Sequence, residues 1–168
     1  LDMIVVSDEI HADIVRSDLV RSGREFLSLA RFGDFADRTV VLSSANKTFN
    51  LAGLHLSHFL VSDPILRERL RAGLAAAGHG QPNVFALVAA EAAYRRGGPW
   101  LEALRSYIDG NLDYALETLN RPGSGIRAYP CEGTYLLWAD ASELIGRTGL
   151  RSDKVLAARL EEEAGVKC

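Results

Sequence analysis

The sequence has little of what builds a disulfide framework or a metal centre. Its 168 residues include two cysteines and four histidines. Cys131 and Cys168 show neither zinc-ligand spacing nor a disulfide pattern. Such cysteine usage suits a reducing compartment, and a cytoplasmic protein is expected. A basic surplus is also missing. Nineteen Lys and Arg stand against 22 Asp and Glu, a formal net charge of −3, which argues against nucleic acid as a partner of this segment. Nor is there a long apolar run. The most apolar stretch, Val84 to Tyr94, is interrupted by Glu91 and closed by Arg95-Arg96, too short to span a bilayer. No membrane partner is expected. No basic leader precedes the opening Met3-Ile4-Val5-Val6, and repeats and low-complexity tracts are lacking.

What is present is the balance of a globular protein able to bury a core, 48% hydrophobic and 24% charged. Met3 to Ser7 and Arg38 to Ser43 are short β-branched runs that predict buried strands, with a polar segment and one short helix between them. Leu56 to Val61 predicts a third strand. Strands separated by more than a hairpin's length predict a parallel or mixed sheet covered by helices, an α/β fold.

Helices dominate from Asp63. Asp63 caps, Pro64 fits the first turn, Leu66, Leu70 and Leu74 repeat every four residues, and Gly78 stops the helix. Pro82 opens a second helix that ends at Gly97-Gly98. Pro99 begins a third, with Leu101, Leu104, Ile108, Leu112, Ala115 and Leu119 in one apolar stripe, broken at Pro122-Gly123. Gly125 to Tyr129 and Gly133 to Trp138 predict two strands around a turn, and Ser152 caps a last helix through Glu163. The expected organisation is a large domain over residues 1–98, a bridging helix over 99–121, and part of a smaller domain over 122–168. Leu1 begins close to a strand without a methionine, and the chain stops just after Gly165. Both ends are expected to be cuts through a larger protein.

Two clusters carry chemistry: Ser7-Asp8-Glu9-Ile10-His11 at the end of the first strand, and Ser43-Ser44-Ala45-Asn46-Lys47-Thr48-Phe49-Asn50 at the end of the second. In open α/β sheets, ligands gather outside the carboxyl ends of the strands, so both clusters point to one region. A lysine amine, with a reference pKa of about 10.4, can form a Schiff base with a carbonyl cofactor once its surroundings lower that value. Lys47 is the candidate. Asp8 offers a carboxylate that would keep a pyridine nitrogen protonated, His11 a donor for a phenolic oxygen, and Ser44 a hydroxyl for a phosphate. Each also has an ordinary reading. Lys47 could be solvated surface, Asp8 and Ser44 caps, and His11 a hydrogen-bonded, half-buried histidine.

The order and spacing of Asp8, His11, Ser44 and Lys47 resemble the aminotransferase-type, fold type I, pyridoxal-phosphate enzymes. Ser-Asp-Glu-Ile-His at 7–11, Lys-Thr-Phe-Asn-Leu-Ala-Gly-Leu at 47–54, Gly-Gly-Pro-Trp-Leu at 97–101 and Gly-Thr-Tyr-Leu at 133–136 look most like the cystathionine β-lyase, or carbon–sulfur lyase, branch. The resemblance implies pyridoxal 5'-phosphate as cofactor, with Lys47 as its tether and catalytic base and Asp8, His11 and Ser44 as further contacts. It implies an amino acid substrate, a homodimer, and α,β-elimination to thiol, pyruvate and ammonia. The family's phosphate cup and its carboxylate-binding arginine would lie outside this chain. His55 stands eight residues after Lys47, where many relatives carry an arginine that binds phosphate; it is either a substitute donor or a loop histidine. Two alternatives stay open: an aminotransferase of the same fold, and an aminotransferase-like effector domain of a transcription regulator.

Overall fold

The computed structural model describes residues 3–167. The first strand, β1 (Val5–Asp8), runs parallel to β2 (Thr39–Ser43), and β2 runs antiparallel to β3 (His58–Val61). The sheet is therefore mixed, in the order β1-β2-β3. Its centre is the β-branched run of β2, where Thr39, Val40 and Val41 are buried while β1 alternates half-buried and exposed positions. Both edges of β2 are paired, with β1 and β3, whereas β1 pairs on one edge only among the described residues. The first strand begins two residues later than the sequence predicts, and the third spans only the last four of the expected six.

Between β1 and β2 the chain forms the short helix α1 (Ser17–Arg21) and two 3-10 segments, Leu29–Arg31 and Gly33–Arg38. Immediately after β2 comes α2 (Ala45–Thr48), a single helical turn capped by Ser44. The three long helices follow the sequence signals closely. In α3 (Pro64–Ala76) the Asp63 carboxylate accepts from Leu66 N at 2.6 Å, and Pro64 occupies the first turn. Leu66, Leu70 and Leu74 form its least exposed stripe. Helix α4 (Val84–Arg96) starts two residues after Pro82, because the Asn83 side chain accepts from Phe85 N at 2.9 Å and supplies the cap. Helix α5 (Gly98–Leu119) buries Ile108 and Leu112 from the expected stripe.

The chain divides into two compact units, Leu1–Tyr107 and Ile108–Cys168, and the division falls inside α5. The second unit departs most from expectation. Gly133 to Trp138 does not form a strand; the pairing is between β4 (Arg127–Ala128) and β5 (Ala139–Asp140). Thr134 takes a left-handed φ of 65°, and its hydroxyl accepts from Leu136 N at 3.0 Å, which curls the segment that was expected to extend. The Asn120 side chain both accepts from Ala128 N at 2.9 Å and donates to Ala128 O at 3.1 Å, so it pairs with β4 as a neighbouring backbone would. Helix α6 (Ser142–Thr148) is a further element, and α7 (Asp153–Ala164) is capped by Ser152 as expected. No helix among the described residues is long and apolar enough to cross a membrane.

Candidate functional site

The parallel pairing decides where the two clusters lie. Asp8 stands opposite Leu42, and Glu9 N donates to Leu42 O at 2.9 Å, so the chain leaves β1 beside the point where β2 leads into Ser44. Asp8, Ser44 and Lys47 thus emerge at the carboxyl edge of one parallel pair, with His11 three residues beyond Asp8 in the turn that follows β1. The sequence clusters meet at this edge because parallel strands direct both exits the same way.

The side chains at the edge fall into two groups. Asp8 and Lys47 are exposed. The Asp8 carboxylate accepts from Ile10 N at 3.2 Å, a local turn contact of the kind aspartate makes after a strand. His11 is half-buried. Ser44 is 2% exposed and is fully engaged: its hydroxyl donates to Leu56 O at 2.6 Å and accepts from Asn46 N at 3.0 Å. Ser44 is therefore a helix cap in this structure. A phosphate could take its proton only by drawing it from the Leu56 carbonyl. His55 is exposed and sits in the left-handed region with φ 53°, closing a 3-10 turn.

Beneath these residues lies a set that sequence reasoning did not single out. Glu9 is buried, and one of its carboxylate oxygens accepts from the Ser7 hydroxyl and from Leu29 N, both at 2.9 Å. Thr48, next to Lys47, is completely buried and donates its hydroxyl to the Asp13 carboxylate at 2.8 Å. Arg105 of α5 reaches back to hold the Asp13 carbonyl through Nε at 2.9 Å and a terminal nitrogen at 2.6 Å. Hydrogen bonds to charged groups contribute about 1.5–3 kcal/mol, so these are strong local ties. The Tyr94 phenol is pushed above its ordinary pKa by burial and by the Asp13 charge, against the opposing effect of a hydrogen bond with the Ser43 side chain.

Aromatic packing holds the other side of α2. The Phe49 ring lies 6.1 Å from Tyr94, edge-on, and 5.6 Å from Trp100, while His58 meets Tyr94 edge-on at 6.0 Å. Gly97 lets Phe49 approach: a Cβ there would run into the Phe49 ring and the Ala93 carbonyl oxygen. Asp13 and Arg105 carried no readable signal, being far from Thr48 in sequence and free of any spacing rule.

Chemically, the edge is fitted to a ligand needing an amine to bond to and a carboxylate to hold a proton, both accessible and both carried on a braced backbone. These features define an α/β protein with a candidate small-molecule site at its strand exits. The family model for aminotransferase class I and II matches residues 1–168, and the chain belongs to that family. It is 40% identical to the cystathionine beta-lyase PatB of Bacillus subtilis, a match covering 82% of this chain and 35% of that protein. Among solved structures it is similar to the PLP-bound C-S lyase of Staphylococcus hominis, at 30% identity and a TM-score of 0.85, over 99% of this chain and 40% of that one. Cystalysin of Treponema denticola, which contains pyridoxal 5'-phosphate, is 27% identical with a TM-score of 0.85 over the same shares. The chain thus spans 35% to 40% of the length of these relatives.

Proposed function

We propose that this chain is the lysine-bearing part of a pyridoxal-phosphate-dependent carbon–sulfur lyase that cleaves a sulfur-containing amino acid to thiol, pyruvate and ammonia. The observation that carries the reading is the meeting of Asp8 and Lys47 at the carboxyl edge of β1 and β2. Similarity to the cystathionine beta-lyase of Bacillus subtilis supports the reaction class. Lys47 is also the sole lysine in the first 153 residues, so no other amine of this stretch competes for the role.

In this reading Lys47 Nζ would hold the cofactor, and the same amine would take the substrate's Cα proton. Asp8 would keep the ring nitrogen protonated. His11 would donate to the phenolic oxygen, and Ser44 would serve the phosphate if its hydroxyl turned from Leu56 O. Pyridoxal phosphate, when bound, supplies the sink for the electron pair left at Cα. Thiolate departs from Cβ, and one water is consumed as the remainder becomes pyruvate and ammonia.

We read residues 1–98 as part of the cofactor domain, 99–121 as the bridge and 122–168 as part of a smaller domain, in a cytoplasmic homodimer. Support for a partner comes from α4, whose Val84, Phe85 and Val88 are each at least 64% exposed, apolar side chains that another surface can cover. The test uses the whole protein and cystathionine. Thiol and pyruvate should appear in equal amounts without any keto acid. Amino transfer that depends on a keto acid, with no thiol released, would identify an aminotransferase instead.

A further inference from the structure

A four-residue helix cannot hold its own conformation, because one turn of hydrogen bonds does not offset the cost of nucleating it. Contacts beyond the turn's own hydrogen bonds must therefore fix the direction in which Lys47 leaves the backbone. The candidates are the cap Ser44, the wedge of Phe49 against Gly97, and Thr48. The first two hold the ends of the turn. Thr48 is the residue adjacent to Lys47, its side chain is completely buried, and its hydroxyl is committed to Asp13 across 35 positions of sequence.

Asp13 in turn is fixed at its backbone by the two Arg105 contacts, 2.9 and 2.6 Å. Its negative charge is also felt at Tyr94, which is hydrogen-bonded to Ser43 at the end of β2. Asp13 thus ties the turn after β1 to the helix that carries Lys47 through its carboxylate, and to α5 through its backbone carbonyl. Neither Asp13 nor Thr48 is among the residues that would touch the cofactor.

We propose that Asp13 and Thr48 form a positioning pair that sets the orientation of Lys47 and thereby the rate at which its amine captures the cofactor carbonyl and removes the substrate proton. The inference rests on Lys47 being the cofactor lysine. A mere packing role would leave that rate alone and lower only the melting temperature. A positioning role requires a loss in kcat with KM held, because the ground-state contacts to substrate lie elsewhere.

The experiment uses the whole protein, stripped of cofactor and then given pyridoxal phosphate. Capture at Lys47 is followed by borohydride reduction and peptide mass spectrometry, and steady-state kinetics are measured beside it. Thr48→Val, which keeps the shape and removes the hydroxyl, should slow capture and lower kcat by about tenfold, with KM changed less than about twofold. Thr48→Ser, which restores the donor, should recover both to within about twofold. Should Thr48→Val fail to fold, Asp13→Asn decides: it keeps the shape, weakens the acceptor and should lower both rates by about threefold. Wild-type capture and kcat in the folded Thr48→Val, or in Asp13→Asn, would overturn the proposal. Absence of label on Lys47 in the unaltered protein would overturn the underlying cofactor reading instead, so the two failures are distinguishable.

Discussion

The exits of β1 and β2 lie side by side and share one arrangement, an open residue beside a buried one. At the first, exposed Asp8 precedes Glu9, which is 6% exposed and binds Ser7 and Leu29. At the second, exposed Lys47 precedes Thr48, which is fully buried and binds Asp13. They differ in what carries the open residue. Asp8 ends a strand and is fixed by the sheet ladder, whereas Lys47 sits on a single helical turn that depends on side-chain ties. The contrast teaches that accessibility and rigidity are supplied by different residues, neighbours in sequence but opposite in burial.

Substitutions at the open and buried members should therefore have separable effects. The largest expected effect is at Lys47. Replacing it by alanine in the whole protein should remove the absorbance of lysine-bound cofactor and lower turnover by at least about 10²–10⁴-fold, the range for loss of a positioned base. Asp8→Asn should lower kcat on the order of 10²-fold, the size seen when one preorganised electrostatic partner is lost. Because Asp8 is exposed, its melting temperature should barely move, with stability within about 0.5 kcal/mol.

Glu9→Ala should do the reverse, costing about 1–3 kcal/mol in denaturant unfolding through the stranded Leu29 N–H, with a far smaller kinetic effect than Asp8→Asn. Equal kinetic losses at positions 8 and 9 would break the comparison between open and buried residues. The smallest effect belongs to a position remote from both exits. Asp63→Ala removes the 2.6 Å cap of α3 and should cost about 1 kcal/mol of stability with turnover unchanged.

How much of this was legible in the sequence depends on whether the signal is local. The caps Asp63 and Ser152, the stripe through Ile108 and Leu112, and the β-branched core of β2 are local patterns, and they form where periodicity and capping place them. Asp8, His11, Ser44 and Lys47 were singled out because their order and spacing resemble the family's, and the parallel strands bring both clusters to one edge. What sequence could not show was that Ser44's hydroxyl is already taken by Leu56 O and Asn46 N, since Leu56 lies twelve residues away with no motif linking them. The tie between Asp13 and Thr48 was hidden for the same reason. In the second unit, the run Gly133–Trp138 suggested a strand after a turn, but the left-handed Thr134 and its bond to Leu136 override it.

The central claim is that Lys47 is the residue that bonds the cofactor, and direct chemical trapping tests it. Borohydride reduction of the pyridoxal-phosphate-loaded whole protein, followed by digestion and mass spectrometry, should place the reduced pyridoxyl group on the peptide containing Ser44-Ala45-Asn46-Lys47 and nowhere else. Labelling of Lys154, of Lys167 or of any other lysine with Lys47 unmodified would contradict the account.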